Sequence, residues 1–125
     1  MNLLMSFVMM LVPLSVYANK ALLVNVPKNK SSFVITLEAN PTTGYQWSVV
    51  SFDKDLLTLS SSYYQGPDSK LIGAGGHMLF TFTLNKEKAY PKTTDLFFSY
   101  ARPWEKGDTG AKQKVTVHFF AKRHP

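Results

Sequence analysis

The stretch "SFVITLEANPTTGYQW", residues 32–47, contains the pattern that decides the fold: a strand, a turn and the start of a second strand. Phe33, Ile35 and Leu37 occupy every second position of its first half, alternating with Val34, Thr36 and Glu38. A period of two predicts a β-strand with one buried face. The next segment contains Asn, Pro and Gly, which favour turns, and Trp47 then begins another apolar run.

The strand pattern recurs along the whole chain, and no window combines a helical period with helix caps. Turn-forming clusters separate seven candidate strands: "ALLVNV", "SFVITLEA", "QWSVVSF", "LLTLSSSYY", "HMLFTFTLN", "DLFFSY" and "KVTVHFFAKR". This spacing predicts an all-β fold, an immunoglobulin-like antiparallel β-sandwich of about seven strands. Trp47 lies on the third strand, where such a sandwich often keeps a core tryptophan, and we therefore expect it to pack in the core.

The first 18 residues, "MNLLMSFVMMLVPLSVYA", are uncharged and apolar and end in small residues. Val16 and Ala18 stand at the −3 and −1 positions of a signal-peptidase site, which predicts a signal peptide over residues 1–18 and one domain over residues 19–125. A membrane anchor is the alternative, but residues 3–16 are shorter than the about 20 apolar residues that span a bilayer. We expect export to the periplasm or the extracellular space, with no stable membrane association after cleavage.

Composition excludes several kinds of chemistry. The chain has no cysteine, so it has neither a thiolate nucleophile nor a disulfide. His77, His118 and His124 lack metal-ligand spacing, and no serine or histidine belongs to a recognisable catalytic motif, so we expect no metal, no cofactor and no enzyme. The net charge of +6 permits an acidic partner.

Three unusual loops should lie together. They are "NPTTGY" (40–45), "LIGAGG" (71–76) and "RPW" (102–104), and two candidate strands separate each from the next. Because an antiparallel chain reverses with each strand, an even number of strands returns it to the same end. We call this end the loop pole. The connections "PKNKSS", "FDKD" and "NKEKAYPK" fall at the opposite end, the basic pole, with six of the twelve lysines; this distribution argues against nucleic-acid binding.

Each of these loops has a simpler interpretation when taken alone. The first could be only a well-formed turn, in which Pro41 fixes φ and Gly44 adopts the positive φ that side chains resist. "GAGG" could be a flexible linker, and Trp104 could fold back onto the core with Arg102 as a solvated charge. Together, however, the loops offer apolar, hydroxyl, aromatic and guanidinium groups, a composition typical of a protein interface.

The ordered set of three loops resembles the chagasin-type inhibitors of papain-like cysteine proteases, which are small immunoglobulin-like β-sandwich proteins. Their motifs are NPTTG followed by an aromatic residue, a glycine-rich GxGG, and RPW. The chain has "NPTTGY" at 40–45, "GAGG" at 73–76 and "RPW" at 102–104, with further agreement in "PDSKLIGAGG" and "SYARPW". The resemblance extends over essentially the whole chain after residue 18.

The resemblance implies a reversible, competitive inhibitor that inserts three loops into the protease's active-site cleft. Thr42 and Thr43 would lie near the catalytic cysteine and histidine, residues 71–76 along the non-primed side, and Trp104 with Arg102 on the primed side. The implied protease-binding residues are Asn40, Pro41, Thr42, Thr43, Gly44, Tyr45, Leu71, Ile72, Gly73, Ala74, Gly75, Gly76, Arg102, Pro103 and Trp104. The expected partner is a papain-like cysteine protease, bound by a monomer. An exported adhesion or carbohydrate-binding module is the alternative.

Overall fold

Seven β-strands form the framework of the part of the chain that the structure describes. The computed structural model describes residues 21–40, 43–67, 75–104 and 111–121. The strands are β1 (Leu22–Pro27), β2 (Ser32–Ala39), β3 (Gln46–Ser51), β4 (Leu57–Gln65), β5 (Gly76–Leu84), β6 (Thr93–Ala101) and β7 (Ala111–Phe120). The predicted all-β fold of seven strands is therefore confirmed. The predicted signal peptide, residues 1–18, lies outside the described residues.

The strands are arranged in two sheets, ordered β1-β7-β6-β3 and β2-β5-β4. Antiparallel pairing joins β2 to β5, β4 to β5, β3 to β6 and β6 to β7. This is the predicted β-sandwich. No helix in the described ranges is long and apolar enough to cross a membrane.

One strand pair differs from the predicted antiparallel arrangement. β1 runs parallel to β7, with Leu22 opposite Val115 and Pro27 opposite Phe120. The antiparallel prediction is wrong for this pair. Because the chain reverses at every connection, the first and seventh strands run in the same direction, and they must pair in parallel once they become neighbours.

The core lies between the sheets and is rich in aromatic side chains. The rings of Phe33 and Phe82 stack with centroids 5.7 Å apart, and those of Phe80 and Phe98 lie 5.1 Å apart. The side chains with no exposed surface are Phe82, Leu96, Phe98, Val115 and Val117. Since the chain has no disulfide, burial of this apolar surface is the main source of its stability.

The connections β1–β2, β3–β4 and β5–β6 meet at one end, the predicted basic pole. The Asn85 side-chain amide donates to the carbonyl oxygens of Lys54 and Asp55 at 3.1 and 2.9 Å. The Leu84 N–H donates to the carbonyl of Ser31 at 2.9 Å. These bonds tie the three connections together, as the strand count predicts.

The lysines of the basic pole are exposed to solvent: Lys28, Lys30, Lys54, Lys86, Lys88 and Lys92. Lys88 Nζ lies 2.9 Å from Asp55 Oδ2, and this hydrogen bond raises the pKa of Lys88. Both side chains are open to water, so the pair adds little to stability. The basic pole is thus a solvated end of the sandwich.

Candidate functional site

The first loop is a closed turn at the end of β2. The carbonyl of Asn40 accepts hydrogen bonds from the Thr43 N–H at 3.2 Å and from the Thr43 hydroxyl at 2.8 Å. Gly44 follows with φ of +84°, the conformation that its lack of a side chain was predicted to allow. Pro41 and Thr42 lie outside the described residues.

The RPW tripeptide packs against this turn. The Arg102 guanidinium carbon lies 4.6 Å from the centroid of the Tyr45 ring, a cation–π arrangement. Arg102 Nε also donates to the Thr43 carbonyl at 3.4 Å. Arg102 is half-buried, which corrects the alternative of a purely solvated charge.

Trp104 stands at the surface, with 68% of its area exposed. Its ring covers Gly44: a Cβ added to that glycine would lie 2.6 Å from Trp104 Cη2. The alternative that Trp104 folds back onto the core is therefore wrong. Its ring contacts the first loop and leaves a large apolar face free of the core.

Gly75, at the end of the glycine-rich loop, also lies beside the start of the first loop. A Cβ added to Gly75 would lie 3.0 Å from the Ala39 carbonyl oxygen and 3.6 Å from Asn40 Cβ. The preceding candidate residues, Leu71, Ile72, Gly73 and Ala74, lie outside the described residues. The described parts of all three loops thus meet at the loop pole, as the strand count predicts.

Gly76 has a second role that the sequence pattern does not reveal. It is the first residue of β5, it is buried, and a Cβ there would collide with the Gln65 carbonyl oxygen and lie 2.8 Å from the Tyr64 hydroxyl. The backbone of β4 approaches so closely that only glycine fits. The "GAGG" segment is therefore not merely a flexible linker at this position.

An aromatic stack supports the loop pole from below. The Tyr100 ring lies between Tyr45 and Trp47, with centroid distances of 5.3 and 4.7 Å. Trp47 packs against the core but is only partly buried, and its Nε1–H donates to the Glu38 carbonyl at 2.8 Å. Trp47 therefore has a structural role, as predicted, but it lies at the edge of the core, which corrects the expectation that it packs within the core.

Tyr100 is the residue of this site that the sequence analysis missed. Its hydroxyl oxygen accepts a hydrogen bond from the Asn40 N–H at 3.2 Å. The available signal was its place in "SYARPW", two residues before Arg102, where alternation along a strand puts both side chains on one face.

The described residues of the loop pole form a contact surface beside a cleft. A cleft of about 470 Å³ lies at the loop pole, lined by Glu38, Ala39, Asn40, Gly75, Gly76, His77 and Tyr100. Within the described ranges, no charged side chain is buried and no group of three His, Asp or Glu residues could hold a metal ion. An exposed tryptophan beside a half-buried arginine is suited to binding another protein.

Comparisons with known proteins agree with this geometry. Residues 26–119 match the sequence profile of the Chagasin family peptidase inhibitor I42. Chagasin of Trypanosoma cruzi is 33% identical over 92 residues, which cover 70% of this chain and 78% of chagasin. The crystal structure of the cysteine protease inhibitor EhICP2 from Entamoeba histolytica has a TM-score of 0.61 at 23% identity, covering 80% of this chain and 87% of EhICP2. PbICP-C, solved in complex with falcipain-2, has a TM-score of 0.53 at 18% identity, covering 81% of this chain and 88% of its own.

The chain belongs to the chagasin family of peptidase inhibitors. The family match runs from β1 to β7 and includes all three loops of the loop pole. The resemblance inferred from the three motifs is confirmed. Because this family inhibits peptidases, the protein is not itself an enzyme, and the alternative of an adhesion or carbohydrate-binding module is set aside.

Proposed function

We propose that the protein is a reversible, competitive inhibitor of papain-like cysteine proteases, and that its loop pole enters their active-site cleft. The observation that carries the proposal is the contact of three loops at one end of the sandwich. Arg102 bonds to Thr43, Trp104 covers Gly44, and Gly75 lies against Asn40. These contacts form one continuous surface from segments that are distant in sequence.

The related proteins support the choice of target. EhICP2 is described as a cysteine protease inhibitor, and PbICP-C was solved in complex with falcipain-2. At 18–23% identity, a shared fold alone does not show that two proteins bind the same partner. The family match and the three intact motifs make the same class of protease the expected partner of this chain.

By analogy with the family, Thr42 and Thr43 lie near the catalytic cysteine and histidine of the bound protease. Residues 71–76 follow the non-primed side, and Trp104 with Arg102 contacts the primed side. The Thr43 hydroxyl is already bonded to the Asn40 carbonyl. Thr43 would therefore contribute the shape of the turn, with a side chain small enough for the backbone to approach the cleft.

The internal contacts of the loop pole reduce the entropy lost on binding. The turn is closed by the Asn40 carbonyl, and Arg102 holds it from the neighbouring loop. A loop that is already ordered loses less conformational freedom when it binds, so more of the contact energy contributes to affinity. Pro41 would add to this stiffness by fixing its own φ.

A bound loop escapes cleavage if its carbonyl groups are not aligned with the attacking thiolate. Proteolysis requires a near-attack geometry, with the reacting atoms about 3–3.5 Å apart. A turn held by its own hydrogen bonds crosses the cleft in a fixed shape and does not adopt the extended form of a substrate. The inhibitor should therefore leave the complex intact.

Titration of papain with the purified domain tests the proposal. We expect activity to fall in proportion to added inhibitor, to recover on dilution, and to be protected by high substrate concentration. Mass spectrometry after inhibition should find an uncut chain, and trypsin, a serine protease, should be unaffected. Cleavage near Thr42 and Thr43 in step with inhibition, or equally tight inhibition of trypsin, would contradict the proposal.

We also propose that the protein is exported after cleavage following Ala18 and that it acts as a monomer. The small residues at positions 16 and 18 support the cleavage site. The intact mass of the exported protein should correspond to a chain that begins at Asn19, and sedimentation should give a single species of that mass. A mass that includes the first 18 residues would contradict the cleavage.

A further inference from the structure

Tyr100 connects the framework of the sandwich to the loop pole. It lies on β6 and its ring packs between Trp47 of β3 and Tyr45 of the first loop, at 4.7 and 5.3 Å. Trp47 is itself fixed, since its Nε1–H donates to the Glu38 carbonyl at 2.8 Å. The stack therefore begins on a rigid part of the fold and ends under the loop.

The Tyr100 hydroxyl reaches the start of the turn. The Asn40 N–H donates to Tyr100 Oη at 3.2 Å, which joins residues 60 positions apart. The Asn40 carbonyl closes the turn by accepting from the Thr43 N–H and hydroxyl. The peptide N–H of Asn40 is thus bonded to Tyr100 of β6, and its carbonyl is bonded to Thr43 of the turn.

Arg102, one residue beyond the end of β6, completes the arrangement. Its guanidinium lies over the Tyr45 ring at 4.6 Å, and its Nε donates to the Thr43 carbonyl at 3.4 Å. Tyr100 and Arg102 stand two residues apart, at the end of β6 and just beyond it. Together they contact the first loop at Asn40, Thr43 and Tyr45.

We propose that Tyr100 is a positioning residue of the inhibitory surface, fixing the first loop relative to the RPW tripeptide before a protease binds. The inference rests on the proposed function and goes beyond the three motifs, since Tyr100 lies outside each of them. Its ring sets where Tyr45 lies, and its hydroxyl sets where the turn begins.

This role has a kinetic signature that separates it from direct contact. When a protein is only partly in its binding-competent form, its apparent affinity falls by that fraction. A variant that no longer positions the first loop has a smaller fraction of molecules in the binding-competent form, so it associates more slowly. Once the complex has formed, it dissociates at the same rate as the parent complex. Loss of a direct contact acts mainly on dissociation.

Tyr100→Phe tests the proposal because it keeps the ring stack and removes the hydroxyl alone. We expect the association rate with papain to fall about 3- to 10-fold, because the loss of one hydrogen bond lowers the fraction of inhibitor in the binding-competent form by about that factor. The dissociation rate should stay within about two-fold of the parent's. The matched control is Tyr90→Phe. Tyr90 lies at the basic pole, and its buried hydroxyl has no hydrogen-bond partner in the described part of the chain, so its loss should leave both rates unchanged.

Hydrogen exchange of the Asn40 amide in the free protein gives a readout that needs no protease. We expect about 3- to 10-fold faster exchange in Tyr100→Phe than in the parent, and no change in Tyr90→Phe. If the parent fails to inhibit papain, the proposed function fails, and the exchange experiment still decides the anchoring of Asn40. An unchanged association rate, an effect confined to dissociation, or unchanged exchange at Asn40 would overturn the inference.

Discussion

At the scale of single residues, Arg102 and Trp104 of the RPW tripeptide lie in different environments. Arg102 faces inward, where it bonds to the Thr43 carbonyl and covers the Tyr45 ring. Trp104 faces outward, with 68% of its surface exposed beside Gly44. Arg102 thus stabilises the loop pole, and Trp104 leaves an apolar face exposed.

Trp104→Ala should weaken inhibition of papain by about 2 kcal/mol, the usual effect of removing an exposed aromatic anchor. The melting temperature should change little, because the ring is mostly outside the core. A core tryptophan would instead lose about 3–5 kcal/mol of stability. Inhibition constants and thermal unfolding, measured on the same preparation, check the expected loss of inhibition and the expected retention of stability. A large fall in melting temperature with unchanged inhibition by the folded fraction would contradict the anchor role.

Gly44→Ala should weaken inhibition about tenfold, because its φ of +84° costs a side chain about 1 kcal/mol and its Cβ would displace the Trp104 ring. Gly66→Ala is the matched control. Among the residues that the structure describes, an added Cβ at Gly66 meets only the Tyr64 ring, at 3.9 Å. Equal inhibition by the two variants would show that the contact between Gly44 and Trp104 is not needed.

At the scale of strands, the fold holds the loops by backbone contacts that side-chain patterns do not reveal. Gly76 begins β5, and its missing side chain lets the β4 backbone approach at Gln65. The sequence marks Gly76 only as part of a glycine-rich loop. A glycine in a loop motif and a glycine required by a neighbouring strand look the same in a single sequence.

Gly76→Ala should therefore reduce the free energy of unfolding by about 1–3 kcal/mol, the usual effect of overpacking a tight site. The cause is a collision with the Gln65 carbonyl, which must move the β4–β5 pair apart. Chemical unfolding measures the loss, with Gly66→Ala again as the control. A variant as stable as the parent would mean that the strands adjust freely at this point.

The strands themselves could be predicted because alternation is local. Phe33, Ile35 and Leu37 are buried on one face of β2, as their spacing indicates. The pairing of β1 with β7 could not be predicted from alternation, since it depends on which strands become neighbours across the whole chain. Tyr100 was missed for the same reason: its partner Asn40 is 60 residues away.

At the scale of the whole molecule, the two ends of the sandwich carry different kinds of connection. The basic pole carries solvated lysines and the hydrogen bonds of Asn85, which join its connections. The loop pole carries the exposed tryptophan and the hydrogen bonds that join Thr43 to Asn40. Counting strand reversals predicts which loops share an end. It cannot predict how closely they pack, because that depends on Gly44, Gly75 and the aromatic stack.

The most direct test of the central claim is the rate at which iodoacetamide alkylates the catalytic cysteine of papain. With saturating inhibitor, alkylation should slow in proportion to the papain bound, because the first loop occupies the cleft. A variant with Thr42→Lys and Thr43→Lys should give no protection, since an unpaired lysine is costly to bury, and it should remain folded, since exposed loop changes usually cost within about 0.5 kcal/mol. If the parent binds papain while alkylation proceeds at its free rate, or if the double variant protects as well as the parent, the loop pole does not enter the active site.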